Sequence, residues 1–329
     1  MRFLLSDEQR EFARTLDGML RSAGTPGVVR SWASGDHGPG RALWARLAEA
    51  GVFALAVPEE HEGVGPLPLE LAVAFGELGR HAVPGPLAET AAAGALLGRL
   101  GGDAAHVWLP QLASGKAVAS LCVLWPGGSP YALDADAADA VFVVDGDTVR
   151  LADAHGPMQP SADPARRPAR PLGGVVLAQG PAVPAAAAYA ADVAALVTAA
   201  QALGVGRALL ERTVQYVRQR TQFGVAVGSF QAVKHRLADT LIALEFAQPL
   251  VHAAALALTA DDPAAGREVA AAKVSACEAA YAAARTALQL HGAVGYTEEL
   301  DLSLWIRKAR PLRTAWGTPA ACRARVLAD

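Results

Sequence analysis

Arg220-Thr221-Gln222-Phe223-Gly224, then Phe230-Gln231, and about sixty residues later Gln289-Leu290-His291-Gly292-Ala293-Val294-Gly295-Tyr296, are the stretches that decide how this chain folds. The first is a charged and amide-bearing tip with a tight glycine turn, and the last is a second, glycine-rich tip. Each sits at the end of a long alanine-rich segment of helical character. Arginine offers a fork of donors suited to phosphate, and glycine lets backbone approach a ligand closely. Two such tips can hold a pyrophosphate and an adenine between helical subunits. Taken alone, Arg220 can instead cap a helix C-terminus and the glycines can be helix stops.

Working outward, residues from about 187 to the end read as helical throughout. One long helix is expected over roughly 190–220, a second over roughly 231–260, and a third from the Asp261–Gly266 turn to about Leu290. A shorter fourth covers the last thirty residues. Short loops between four helices make an antiparallel bundle. Residues 6–100 are also helical. Ser6 is a good N-cap with Gln9 as capping-box partner, and Phe12, Leu16 and Leu20 recur at helical spacing. Leu43, Leu47 and Ala50 lead to a stop at Gly51, and a Gly/Pro-punctuated loop spans 58–68.

The character changes at about Val107. Val118–Leu124 is a short apolar run, Ala140–Val144 and Thr148–Leu151 flank a glycine turn as a hairpin, and Gly173–Ala178 is another strand candidate. Pro181-Ala182-Val183-Pro184 reads as a linker. The division expected is an N-terminal helical domain over 1–105, a small β domain over 106–184 and a helical bundle over 185–329.

Composition excludes several functions. The 329 residues carry a net charge of −3, which leaves no basic footprint for nucleic acid or a membrane surface. Cys122, Cys277 and Cys322 share no metal-ligand spacing and read as reduced thiols of a cytoplasmic protein. His235, His252 and His291 lie on helices without metal spacing and read as surface or packing residues, so no metal site is expected. The N-terminus does not read as a signal peptide, and no uninterrupted apolar run approaches the roughly 20 residues that span a bilayer.

These motifs, with Leu43-Trp44, Leu47–Val52, Pro58–Gly65, Glu77–Arg80, Leu237–Asp239 and Arg307–Arg310, stand in the order found in acyl-CoA dehydrogenases, which the chain resembles over most of its length. The resemblance implies a mainly α fold with a helical N-terminal domain, a small β-barrel-like middle domain and a C-terminal four-helix bundle. It implies α,β-dehydrogenation of an acyl thioester, in which a Glu removes the α-proton and FAD accepts hydride. It makes Arg220, Gln222, Phe223, Gln231, Gln289, Gly292, Gly295 and Thr318 the contacts to FAD, which in this family is held mainly by a neighbouring subunit.

The family's catalytic Glu comes from one of two places. Here those positions are Trp316, in Trp316-Gly317-Thr318, and Ala194, and neither can accept a proton. Asp192 lies two residues from the second position, but two residues along a helix point to a different face. The flavin loop is degenerate too. Leu124-Trp125-Pro126-Gly127-Gly128-Ser129-Pro130 lacks the family's Thr-Glu and its final Asp, and Trp125 either fills the isoalloxazine's volume or belongs to the β core. The chain therefore resembles the short, non-catalytic subunits of α₂β₂ acyl-CoA dehydrogenases of bacterial sterol degradation. That implies a heterotetramer with a catalytic partner that binds most of the acyl-CoA and shares its FAD. Two alternatives remain at this point: a homo-oligomeric dehydrogenase of acyl-CoA or acyl-carrier-protein thioesters with an unrecognised base, and a non-enzymatic scaffold of the same fold.

Overall fold

The computed structural model describes residues 4–125 and 128–328. Pro126 and Gly127 of the flavin-loop reading lie outside the described residues. Six helices open the chain: α1 (Asp7–Ser22), α2 (Thr25–Ala33), α3 (Gly38–Glu49), α4 (Pro68–Arg80), α5 (Leu87–Leu100) and α6 (Gly102–Ala113). Eight short strands follow: β1 (Ala119–Val123), β2 (Ala132–Leu133), β3 (Ala140–Asp145), β4 (Thr148–Leu151), β5 (Ala154–His155), β6 (Pro168–Ala169), β7 (Pro171–Leu172) and β8 (Val175–Gln179). The rest is helical except for one small hairpin: α7 (Ala182–Gln219), β9 (Thr221–Gln222), β10 (Val225–Ala226), α8 (Gln231–Thr259), α9 (Ala265–His291), α10 (Leu302–Leu312) and α11 (Pro319–Leu327).

The chain forms two compact units. One comprises Gly27–Leu71 and Pro84–Ala195. Its sheet has the order β1-β3-β4-β8, with β1 parallel to β3 and the other pairs antiparallel. All five residues of β1 are buried, and Thr90 Oγ1 of α5 donates to the Ala119 carbonyl at 2.6 Å, which locks that helix to the strand. Arg41 forks onto Asp139 at 2.7 and 3.0 Å, and Asp139 also accepts the Val118 amide at 2.7 Å, so one carboxylate joins α3, the strand entry and the loop before β3.

The other unit comprises Met1–Pro26, Ala72–Val83 and Leu196–Asp329. Alanine sets its geometry. Ala202, Val205, Ala208 and Leu209 of α7 pack with Ala280, Ala283, Ala284 and Ala287 of α9, and Leu302, Trp305, Ala309 and Leu312 of α10 join them. Small side chains let helix axes approach closely. At Gly204 a Cβ would lie 1.9 Å from the Gly76 carbonyl oxygen, so α4 and α7 meet backbone to backbone. Trp305 Nε1 donates to the Arg80 carbonyl at 2.8 Å, and Arg80 binds Glu211 through both carboxylate oxygens at 2.8 and 2.7 Å.

Several sequence expectations change. Helix continues to Ala113, beyond the change of character at Val107, because α6 buries Ala105, Leu109 and Leu112 on one face despite Pro110. The Pro/Ala tract is no linker: α7 begins at Ala182, and Pro184 sits in its first turn, where no amide partner is lost. The last thirty residues form two helices rather than one, divided by the turn before Thr318, which caps α11. Trp125 is 48% exposed and so is not β core. Finally, α7 and α8 are each long and apolar enough to cross a membrane by length and composition. In the most apolar window, 89% of α7 but only 39% of α8 is buried within the chain. The first is a core helix, and the second leaves apolar surface uncovered.

Sequence reasoning also missed a charge cluster. Asp17 of α1, Glu77 of α4 and His81, the residue just after α4, bring their ligand atoms within 4.8 Å of one another. His81 Nε2 contacts Asp17 Oδ1 at 2.8 Å, and Arg21, Arg80 and Glu211 complete the surroundings. Burial pushes the Glu77 carboxyl up to about 7, against the pull of Arg80. A raised acid favours the folded state below the unfolded value of 4.5, and that contribution is lost as pH climbs toward 7. Glu77→Gln should therefore flatten the fall in thermal midpoint between these pH values and leave the variant the more stable at pH 8. Equal pH slopes in the two proteins would contradict the assignment.

Candidate functional site

The two tips singled out in the sequence are both built by helix ends. The final amide of the first, Arg220 N–H, donates to Tyr216 at 2.9 Å, and the chain then reverses in a two-residue hairpin. Phe223 and Gly224 form its turn with φ of 53° and 79°. Glycine suits such a turn, whereas phenylalanine adopts it rarely. Phe223 is 93% exposed, with the Phe230 ring edge-on to it at 6.4 Å between ring centroids. The Arg220 side chain is exposed and makes no hydrogen bond or ion pair among the described residues. Gln222 is exposed with its amide nitrogen on the Thr221 carbonyl, and Gln231 is the exposed first residue of α8.

The second tip ends α9. Gly292 takes φ 64° and ψ −141°, a conformation that requires glycine, and its amide returns to Leu288. A short 3₁₀ turn then runs Gly292–Tyr296. Gly295 is buried, and a Cβ there would sit 3.2 Å from the His291 Cβ. Gln289 faces solvent.

A contact invisible in the sequence brings the tips together. The Tyr216 ring of α7 stacks on His291 of α9, with centroids 4.1 Å apart and planes at 21°. His291 Nδ1 donates to the Ala287 carbonyl at 2.8 Å, which fixes the tautomer, and burial holds the imidazole below its usual range. Gly206 reinforces this alignment, since a Cβ there would lie 3.2 Å from the Ala280 Cα. Thr318 shares none of these described contacts. Its hydroxyl accepts the Ala321 amide at 3.2 Å as the cap of α11.

The two positions implied for a base are occupied differently. Ala194 is fully buried within α7. Trp316 lies in the turn after α10, partly buried, with φ 53°. Asp192 is buried in α7 at 8% exposure, two residues and therefore about 200° around the helix from Ala194.

On α8, Leu241, Ile242 and Phe246 are 45%, 51% and 74% exposed, and Val225 and Phe230 before it are 45% and 40% exposed. Exposed apolar side chains gathered on one helix form an uncovered apolar face.

If the stack aligns the tips, Tyr216→Ala should lower stability by about 2–4 kcal/mol, as for other large-to-small changes. Proteolysis around 219–224 should rise with it. Tyr216→Phe keeps the ring and should behave as the parent in both assays. A Tyr216→Ala protein with unaltered proteolysis would show that the tips are held by other means.

Comparison with known proteins agrees with the fold. The acyl-CoA dehydrogenase N-terminal domain matches residues 6–116, and the C-terminal domain of the same family matches residues 185–328. Acyl-CoA dehydrogenase IpdE2 of Mycobacterium tuberculosis is 35% identical over 308 residues, covering 92% of this chain and 91% of its own. Two solved structures share the fold at 24% identity: the ChsE4-ChsE5 complex of Mycobacterium tuberculosis, with a TM-score of 0.86 over 99% of this chain and 98% of the other, and a variant of the Tcur3481-Tcur3483 steroid ACAD, with a TM-score of 0.83 over 97% and 96%. With both family domains matched over most of the chain and IpdE2 35% identical over 92% of it, the chain belongs to the acyl-CoA dehydrogenase family.

Proposed function

We propose that this chain is the non-catalytic subunit of a heteromeric, flavin-dependent acyl-CoA dehydrogenase. One observation carries the reading. The helix tips that the resemblance assigns to a neighbour's cofactor stand exposed side by side, while both positions implied for the base hold residues that cannot take a proton.

The residues present fit one half of FAD and not the other. Arg220 presents an exposed guanidinium at a helix end with no side-chain partner among the described residues, the turn at Gly292 exposes backbone, and the exposed Phe223 ring offers a stacking face. That donor set suits a pyrophosphate and an adenosine. Gln222, Gln231 and Gln289 add exposed amides around it, and Thr318 is placed there only by the family resemblance. The loop that would meet the isoalloxazine has an exposed Trp125 and no Thr-Glu. The flavin, when bound, accepts the β-hydride of the acyl thioester. In this reading Arg220 neutralises phosphate charge, Phe223 covers the adenine, and the Gly292 turn lets the backbone close in. Proton abstraction falls to the partner's carboxylate, and so does most of the acyl-CoA contact.

The uncovered face of α8 supports a partner subunit of the same fold, as do the two-component names of the solved relatives. A steroid-derived acyl group is the substrate class we favour, from the resemblance to sterol-degrading enzymes and the steroid ACAD relative. A cytoplasmic heterotetramer completes the proposal.

Two outcomes test it. The chain alone should show no dehydrogenation of acyl-CoA with an artificial electron acceptor. Trp316→Glu should not restore it, because a base without a held isoalloxazine cannot align the α-proton with the hydride acceptor. Turnover near about 10 s⁻¹ by the chain alone would sink the reading. In the complex with its partner, Arg220→Ala should weaken FAD binding about ten- to a hundredfold, the size expected for a lost charge-assisted contact, with an unchanged thermal midpoint of the apoprotein. Unaltered FAD affinity would reduce Arg220 to a helix-end residue.

A further inference from the structure

The turn that carries Trp316 is held from below by a buried cation. Lys273 of α9 is 1% exposed, and its Nζ lies 3.0 Å from the Leu312 carbonyl, 3.4 Å from that of Gly317 and 3.5 Å from that of Arg313. Leu312 is the last residue of α10, whose final carbonyls have no partner within the helix and carry its negative end. The nearby carboxylate, Glu278, is committed elsewhere: it binds Arg323 at 2.6 Å and Arg313 at 3.5 Å. The neighbouring thiols are neutral, because burial pushes both Cys277 and Cys322 up. The ammonium is thus met by three carbonyl dipoles, with the Cys277 thiol beside it.

Burying a cation is expensive unless its donors are used, and an apolar residue would pack here at lower cost. What the lysine supplies is three bonds that converge on one turn. That turn is strained. Trp316 takes φ 53° and Gly317 φ 132°, and a Cβ at Gly317 would lie 2.9 Å from Cys322 Sγ. A bulky residue in the left-handed region persists only where its surroundings force it there.

We infer that Lys273 is a positioning residue: its buried ammonium, gripped by the Leu312, Arg313 and Gly317 carbonyls, fixes the turn 313–318 and so seats Trp316 in the place that the resemblance gives to a carboxylate. The seat is retained though its occupant can no longer accept a proton. This goes beyond the heteromer reading and needs neither flavin nor partner, so either can fail without the other.

The test reads Trp316 itself. The emission of the full chain minus that of Trp316→Phe isolates the indole, and the same difference is taken in Lys273→Met, Lys273→Gln and Lys273→Arg backgrounds. In Lys273→Met the Trp316 component should shift to longer wavelength and become open to a neutral quencher. Amide exchange in 313–318 should rise about ten- to a hundredfold, the effect of losing bonds to a charged donor. Exchange at 220–224 and 292–296 should stay as it was. Lys273→Arg, which keeps the charge and its donors, should retain the parental signal, and Lys273→Gln should fall between. A lower thermal midpoint with an unmoved Trp316 component, or exchange that rises equally throughout α9–α11, would overturn the inference. Should Lys273→Met fail to fold, Lys273→Gln decides by the same readings.

Discussion

Alanine-to-backbone contact between helices is the constraint on which the rest of this molecule depends. Gly206 of α7 lies against Ala280 of α9, and Gly204 against Gly76 of α4, with no room for a single added carbon at the second contact. Helices this close are held in fixed register, because sliding one along the other drives Cβ atoms into backbone. Register decides where the ends fall. The C-terminal ends of α7 and α9 arrive side by side, so Tyr216 can stack on His291 and two glycine-bearing tips share one end of the bundle. The apolar content of the chain is thus spent on proximity more than on bulk.

Much of this was legible in the sequence where local chemistry dominates. Ser6 and Gln9 form the expected reciprocal cap, and α8 and α9 begin and end within a residue or so of the boundaries read from periodicity. Turn chemistry also held at Gly146, where β3 and β4 pair across two residues. The readings that failed depended on tertiary context. Pro184 reads as a breaker, yet a proline in the first helical turn loses nothing. Pro110 hides a helix that its buried face stabilises. Trp125 reads equally well as core or surface until its exposure is seen.

The candidate site was legible in its tips and illegible in its supports. Arg220, Phe223, Gly292 and Gly295 sit in recognisable motifs. Tyr216, Lys273 and Glu77 do not, because their roles come from neighbours 39 or more residues away or on another helix: Lys273 meets the Leu312 carbonyl, and Glu77 meets Asp17. No spacing rule reports such pairs. The same holds for α8, whose composition alone does not reveal that Ile242 and Phe246 stand exposed.

The function proposed here is that of a subunit that lends surfaces and performs no proton transfer. The most direct measurement is the visible absorbance of the purified chain, alone and in complex with a partner dehydrogenase that carries an intact catalytic Glu. The account predicts a colourless chain that becomes part of a yellow, active complex. A chain that is yellow by itself and oxidises acyl-CoA without a partner would contradict it.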